Sequence, residues 1–328
     1  MLKKLFILSD GNSGNTGPFE GPFFQFRNFL KDNSVAVSIK RNGDNLEEAD
    51  CYFVNSKFFR KKYPVWDDKS VTTIRGFLDS LRRLTNNVVW FDTSDSCSSN
   101  QFAVIDNVNL FCKNQIYNEK EMYLQSFYGG RIYTDFYHRR YGVCDNQVEF
   151  NHNEYMPKAN DLNKIVVSWN SSFGEYGFGI INRLNRRFNN RYARVSRIFT
   201  KLGDPRSNRQ NAISCRIGVN HLRQTVRFQR ERLSEILASS WKVSTERINK
   251  RQYFLELLNS QVGISPYGWG EIAYRDFEIF ISGAALFKPS MSHVKTWPDI
   301  YVDGETFVSY AWDLSDIDEK LHYLSEAT

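Results

Sequence analysis

The sequence predicts two α/β domains in tandem with a cleft between them. Three observations carry this. Short apolar runs of strand length alternate with amphipathic runs of helix length through most of the 328 residues. A polar stretch rich in asparagine, Asn146 to Asn163, interrupts the alternation, and the pattern then restarts. No apolar run approaches the roughly 20 residues of a membrane-spanning helix.

The elements follow in order. Lys4 to Leu8 is a buried strand, and the glycine-rich loop Ser9 to Pro18 follows it. Phe23 to Lys31 is expected to be helical, with Phe23, Phe26, Phe29 and Leu30 on one face. Val35 to Ile39 and Cys51 to Val54 are further strands. Ser70 to Leu84 is an amphipathic helix with the stripe Ile74, Leu78 and Leu81. Val88 to Phe91 is a buried strand that runs into Asp92-Thr93-Ser94-Asp95-Ser96. The domains are placed at 1–155 and 156–328. In the second, strands are expected at Ile165 to Ser168, Ala212 to Ile217, Val262 to Ser265, Ala285 to Lys288 and Phe307 to Tyr310. Helices are expected at Gly179 to Phe188, Thr225 to Leu237, Ile248 to Leu258, Ile272 to Ile281 and Ser315 to Leu324. Ligands of such folds bind beyond the carboxyl ends of the strands.

Composition narrows the function classes. With 41% hydrophobic and 24% charged residues the chain is globular and not disordered. Its net charge of +6 suits an anionic partner without choosing among sugar nucleotides, lipid pyrophosphates, a membrane surface and nucleic acid. The five cysteines are scattered with no CxxC spacing, so neither a disulfide framework nor a zinc site is expected. The N-terminus lacks the pattern of a signal peptide, and a cytoplasmic location is expected.

The densest chemistry lies in Ser265 to Glu278. A strand runs into a loop containing Gly268, Trp269 and Gly270, and a helix follows. Glycines let backbone amides approach an anion, and a helix N-terminus adds free N–H groups and a favourable dipole. Arg275, about one turn into the helix, could grip a diphosphate in a bidentate fashion. Glu271 and Glu278, seven residues apart, share nearly one helical face. A carboxylate there can accept from two ribose hydroxyls. The plain alternative is a surface pair between Arg275 and Glu278.

This segment, with Gly283 to His293 and Thr296-Trp297-Pro298, resembles bacterial GT-B glycosyltransferases of surface-polysaccharide assembly and, more distantly, exostosin and CgeB-like groups. The stretches Ile213 to Gly218, Thr225 to Arg230, Asp92 to Ser96 and Phe127 to Asp135 are similar to the same enzymes. The resemblance implies two Rossmann-like domains, with the nucleotide-sugar donor on the second and the acceptor on the first. It implies that Glu278 binds ribose and Arg275 the diphosphate. The implied reaction moves a sugar from the nucleotide-sugar donor to a hydroxyl of a glycan or lipid-linked acceptor; separately, the basic charge leads to an expectation of peripheral contact at an anionic membrane face. The usual retaining pattern has two glutamates eight apart, and the spacing of seven here leaves the role of Glu271 and the stereochemistry open.

Asp92, Asp95 and Asp10 are the candidate catalytic carboxylates, with Asp135 and His138 as rivals, because transfer to a hydroxyl needs a base within hydrogen-bond reach. Capping of turns is the alternative for each. Arg216, ending a strand, is a further candidate for the donor diphosphate. No two histidines share a metal-like spacing, so no metal and no cofactor are expected, and arginines and a helix dipole would neutralise the leaving diphosphate. The arginine-rich run Arg183 to Arg197 reads first as a solvated surface. Nucleic acid is not expected as a partner, although an enzyme acting on nucleic acid and a non-catalytic nucleotide-sugar-binding protein are the alternatives to the main reading.

Overall fold

A computed structural model describes residues 3–11, 14–64, 66–99, 101–146, 155–174, 176 and 203–326. The expected helix at 179–188 and the arginine run at 183–197 lie outside them.

Six parallel strands form the first sheet in the order β2-β1-β3-β4-β5-β7. They are β1 (Lys3–Leu8), β2 (Val35–Lys40), β3 (Cys51–Asn55), β4 (Val88–Asp92), β5 (Leu110–Lys113) and β7 (Ile165–Val167). The sheet winds outward both ways from β1 and β3, so a crevice opens beyond their carboxyl ends. Every residue of β4 is buried, as its unbroken apolar run requires of a strand covered on both faces. Helix α3 (Asp68–Leu81) covers one face. Its stripe Val71, Ile74, Leu78 and Leu81 is at most 2% exposed, and a capping box between Asp67 and Ser70 starts it.

Two expectations fail in this unit. The first helix begins earlier than predicted, as α1 (Thr16–Gln25), and breaks into α2 (Arg27–Asp32). Phe19 faces the core while Phe26 and Phe29 are exposed, because the chain turns at Phe26 and rotates the predicted stripe outward. The strand at 165–167 does not open a second domain: it pairs with β5 in the first sheet. The boundary at 155/156 therefore falls too early. A polar stretch in sequence marks a surface loop as readily as a domain junction.

The second sheet is parallel, ordered β12-β10-β9-β8. Its strands are β8 (Asn211–Ser214), β9 (Ser260–Ile264), β10 (Ala285–Pro289) and β12 (Val308–Tyr310). Helices α5 (Gln224–Ser240), α6 (Lys250–Leu258), α7 (Tyr274–Ser282) and α8 (Ile317–Glu326) accompany it. Ile317, Leu321 and Leu324 of α8 bury themselves in this unit's own core with Leu233 and Phe287. The two units are the lobes of a GT-B arrangement with a cleft between them.

The lobes are stitched together. β6 (Gln115–Tyr117), just after β5, pairs antiparallel with β11 (Val294–Thr296), just after β10. Helix α4 (Ile132–Tyr141) adds side-chain bridges. Tyr133 Oη donates to the carbonyls of Gly268 (3.1 Å) and Trp269 (3.0 Å), and Tyr137 Oη donates to that of Trp312 (2.8 Å). One apolar cluster includes Trp90 and Phe111 of the first lobe and Tyr267 and Leu286 of the second. Among the described residues no helix is long and apolar enough to cross a membrane.

Candidate active site

The cleft is a cavity of about 790 Å³ at the carboxyl ends of both sheets. The first lobe contributes Asn15, Lys57, Arg60, Tyr63, Trp66 and Asp95; the second contributes Gly268, Trp269, Gly270 and Tyr274. Arg131, which precedes α4, lies between them.

The loop after β9 behaves as its glycines suggest. A Cβ on Gly270 would run into the carbonyl of Asp95, so only glycine lets the two lobes meet there. Trp269 is clasped between two guanidinium groups, Arg131 at 3.2 Å and Arg223 at 3.5 Å from its ring centroid. Burial, and then the like charge of Arg131, lower the Arg223 guanidinium to about 10.

Behind the loop lies a second group of cations. Arg230 donates to the carbonyls of Tyr267 (3.1 Å) and Gly218 (2.8 Å). Arg247 packs so closely on Gly218 that a Cβ there would strike its guanidinium. Burial, and then the charges of Arg275 and Arg247, bring Arg230 down to about 10. Arg131, Arg230, Arg247 and Arg275 make no ion pair among the described residues. These four guanidinium groups gather positive charge around the Gly268–Gly270 loop, with Glu271 near Arg131 and Glu278 near Arg275 but no direct ion pair among the described residues.

The remaining predicted residues sort by geometry. Glu278 sits one turn beyond Arg275, 3.6 Å from Lys250 Nζ. Burial raises its carboxyl above the ordinary value, against the pull of Lys250 and Arg275. Arg216 does not join the cation group, because its guanidinium is engaged by Glu256 at 2.6–3.0 Å. Asp276 is a structural carboxylate that the sequence reading passed over. It accepts from Ser265 Oγ, from Tyr301 Oη (2.7 Å) and from the Ala273 amide (3.1 Å), and pairs with the fully buried Lys288 at 3.2 Å. Together these fix the start of α7.

Of the three candidate base carboxylates, one faces the cleft. Asp95 is exposed there, its Oδ1 accepting from Asn15 Nδ2 at 2.6 Å. Asp92 is fully buried and paired with Lys113 Nζ at 2.6 Å, and also accepts from Ser99 Oγ (2.5 Å) and the Ser94 amide (2.9 Å). Burial opposes its charge, but Lys113 and the hydroxyl donors outweigh it and leave the carboxyl below its usual range. That carboxylate has no line to an acceptor. Asp10 accepts from Thr16 Oγ1 at 2.5 Å at the start of α1. Asp135 accepts from the Tyr128 amide (2.9 Å) and pairs with Arg139, while His138 stacks on Tyr128; neither lines the cleft.

Glu271 is not a cleft residue either. It is fully buried at the seam, accepting from Ser96 Oγ (3.0 Å), the Cys97 amide (3.0 Å) and Cys97 Sγ (3.1 Å) of the other lobe. Burial works against its charge, yet the nearby His293 ring, Arg131 and Cys97 bring its carboxyl down to about 2. His293 Nε2 lies 3.8 Å from it. Sequence spacing could not reveal this group, because Cys97 and Glu271 are 174 residues apart.

No protein-family model matches the chain, and no curated protein matches it. Solved structures do. One is an alpha-glucosyltransferase in complex with UDP and a 13-mer DNA containing a HMU base, at 12% identity and TM-score 0.42, with 98% of this chain and 90% of that one covered. Another is an alpha-glucosyltransferase in complex with UDP-glucose and DNA containing an abasic site, at 10% identity and TM-score 0.36, covering 98% and 89%. A third is the Methanocaldococcus jannaschii UDP-GlcNAc 2-epimerase with UDP-GlcNAc and UDP, at 10% identity and TM-score 0.34, covering 98% and 92%. Likeness at this level carries no chemistry, so the site rests on its own residues. It does correct two expectations. The first two structures are of enzymes bound to DNA, not of surface-polysaccharide enzymes. The surface-glycan or lipid-linked acceptor and the exclusion of nucleic acid are both withdrawn.

Proposed function

We propose that the chain is a nucleotide-sugar-dependent glycosyltransferase whose acceptor is a nucleic acid. The observation that carries the donor half is the set of four arginines, Arg131, Arg230, Arg247 and Arg275, without ion-pair partners among the described residues around the Gly268–Gly270 loop. A diphosphate would supply the missing charge, and Glu278, one turn further along α7, is the carboxylate for the ribose hydroxyls. Guanidinium groups already in place stabilise the negative charge that grows on the leaving diphosphate, with no reorganisation at the moment of reaction. No metal is required for that task.

The acceptor half rests on the opposite wall. Lys57, Arg60, Tyr63 and Trp66 place two cations and two aromatic rings along the cleft, and Lys61 and Lys62 extend the positive strip on the exposed rim. Cations that follow a phosphate backbone, with rings that stack on bases, are the pattern of a nucleic-acid groove. Asp95 is the carboxylate that can take the acceptor proton.

Calorimetric titration of UDP, GDP and CMP, with their sugar conjugates, tests the donor half. Arg230→Ala removes charge-assisted hydrogen bonds worth about 1.5–3 kcal/mol, or roughly 10- to 150-fold in affinity. Equal affinity in the parent and in Arg230→Ala and Glu278→Ala would exclude this donor site.

A further inference from the structure

Cys97, Glu271 and His293 meet at the seam between the lobes, and none of the three lines the cleft, although Glu271 lies between the lining residues Gly270 and Ile272. Their ligand atoms all lie within 4.8 Å of one another. Cys97 Sγ is 3.1 Å and His293 Nε2 3.8 Å from the same Glu271 oxygen. Tetrahedral bonds of about 2.0–2.3 Å to N, O and S separate ligand atoms by roughly 3.3–3.7 Å, so one ion fits among the three with small adjustments.

Unmet polar atoms point the same way. Both ring nitrogens of His293 are buried without a hydrogen-bond partner among the described residues. So is the hydroxyl of Tyr117, a residue only 2% exposed and near enough to Cys97 and Glu271 for charge on either to act on it. Orphaned buried groups are costly, and a protein retains them where something else completes them. The surroundings also hold the ligands in place. Ser96 Oγ and the Cys97 amide orient the carboxylate of Glu271. Trp312 stands edge-on to the His293 ring at 5.1 Å, and Tyr123 Oη donates to the Cys97 carbonyl at 2.8 Å.

We infer that Cys97, Glu271 and His293 bind a divalent ion of the zinc class, which clamps the two lobes together. A thiolate, a carboxylate and a neutral imidazole around a divalent cation sum to zero charge, as a buried site requires. On binding, the Cys97 thiol proton leaves to solvent and a sulfur–metal bond replaces the S–H bond. No electron is transferred. Cys97 comes from the first lobe and Glu271 and His293 from the second, so the ion spans the seam. The buried Tyr117 hydroxyl, without a partner among the described residues and close enough to Cys97 and Glu271 to feel their charge, can hold a water in the fourth position.

Cobalt titration of the chelator-treated full chain is the test, because Co²⁺ bound to thiolate gives a charge-transfer band and tetrahedral Co²⁺ gives intense visible bands. Stoichiometric uptake with both signatures is expected, and Zn²⁺ should displace the cobalt. Cys97→Ser should abolish the thiolate band, while Cys144→Ser, an exposed cysteine elsewhere, should leave it unchanged. His293→Gln should weaken uptake by at least about 10-fold, as even removal of a hydrogen bond to a ligand does at metal sites. Zn²⁺ should raise the parent's Tm and leave that of Cys97→Ser unmoved. Absence of the thiolate band in the parent, or its persistence in Cys97→Ser, would overturn the site whether or not the variants fold as well as the parent.

Discussion

The buried pair of Asp92 and Lys113 allows a sharp separation of structure from catalysis. Both side chains are fully buried, 2.6 Å apart. Asp92→Asn leaves the Lys113 charge without its counterion, and Lys113→Met leaves Asp92 without its own. Breaking a buried pair from one side costs about 3–5 kcal/mol. With an unfolding entropy of about 2.1 cal/mol/K per residue, the 328 residues give about 0.7 kcal/mol/K if they melt as one unit. Each single change should then lower Tm by roughly 4–7 °C. The double variant, Asp92→Asn with Lys113→Met, restores neutrality. Its carboxamide oxygen would still accept from the Ser94 amide, its NH2 group would take the place of the other carboxylate oxygen and donate to Ser99 Oγ, and the methionine side chain would fill the lysine's space. Its Tm should recover most of the loss. Acid should act on the parent in a defined sense. Asp92 has a depressed folded pKa, so its stabilisation is complete above the unfolded value of about 3.9 and is lost as pH falls through the folded one. The double variant should lack that component. Differential scanning calorimetry across pH, with release of nucleoside diphosphate from the nucleotide sugar as the activity, reads both properties. A double variant that melts like the parent but turns over about 100-fold or more slower would refute the structural role and restore Asp92 as the base.

Other outcomes follow from the cleft. Asp95→Asn should lower turnover by about 10²–10⁴-fold with donor affinity within a factor of two, measured by calorimetry beside the activity assay. Gly270→Ala should lower Tm and donor affinity together, since its Cβ collides with the Asp95 carbonyl where the lobes meet. A variant as stable as the parent would show that the seam is slack. Arg60→Glu with Lys57→Glu should weaken retardation of a DNA oligonucleotide and flatten the salt dependence of binding, whose slope falls by about 0.9 for each phosphate no longer neutralised. An unchanged slope would remove this wall from the groove.

Much of the architecture is legible in sequence because it depends on local pattern. β1, β3, β4, β9 and β10 are apolar runs with a buried period, and α3 and α7 carry helical stripes and caps that act within a few residues. The strand-loop-helix at Ser265 to Glu278 is legible for the same reason, since its glycines and helix N-terminus are neighbours in the chain. Sheet membership is not. β7 looks like any short apolar strand, and its place beside β5 depends on partners more than 50 residues away. The exposed faces of Phe26 and Phe29 show the same limit: a stripe predicts a buried face only if the helix keeps its phase.

Propensity, periodicity and charge are properties of neighbouring residues. They are enough to specify the strand-and-helix alternation, the glycine-containing loop after β9 and the supply of arginine around it. Which groups meet is a different matter, and it depends on the folded chain. Folding consigns Asp92 to a buried pair with Lys113, turns Asp95 toward the cleft, ties Arg216 to Glu256, and brings Cys97 against Glu271 and His293. The physical reason is common to all four. Desolvation and ion pairing act through space over a few ångströms, and the distance along the chain does not enter.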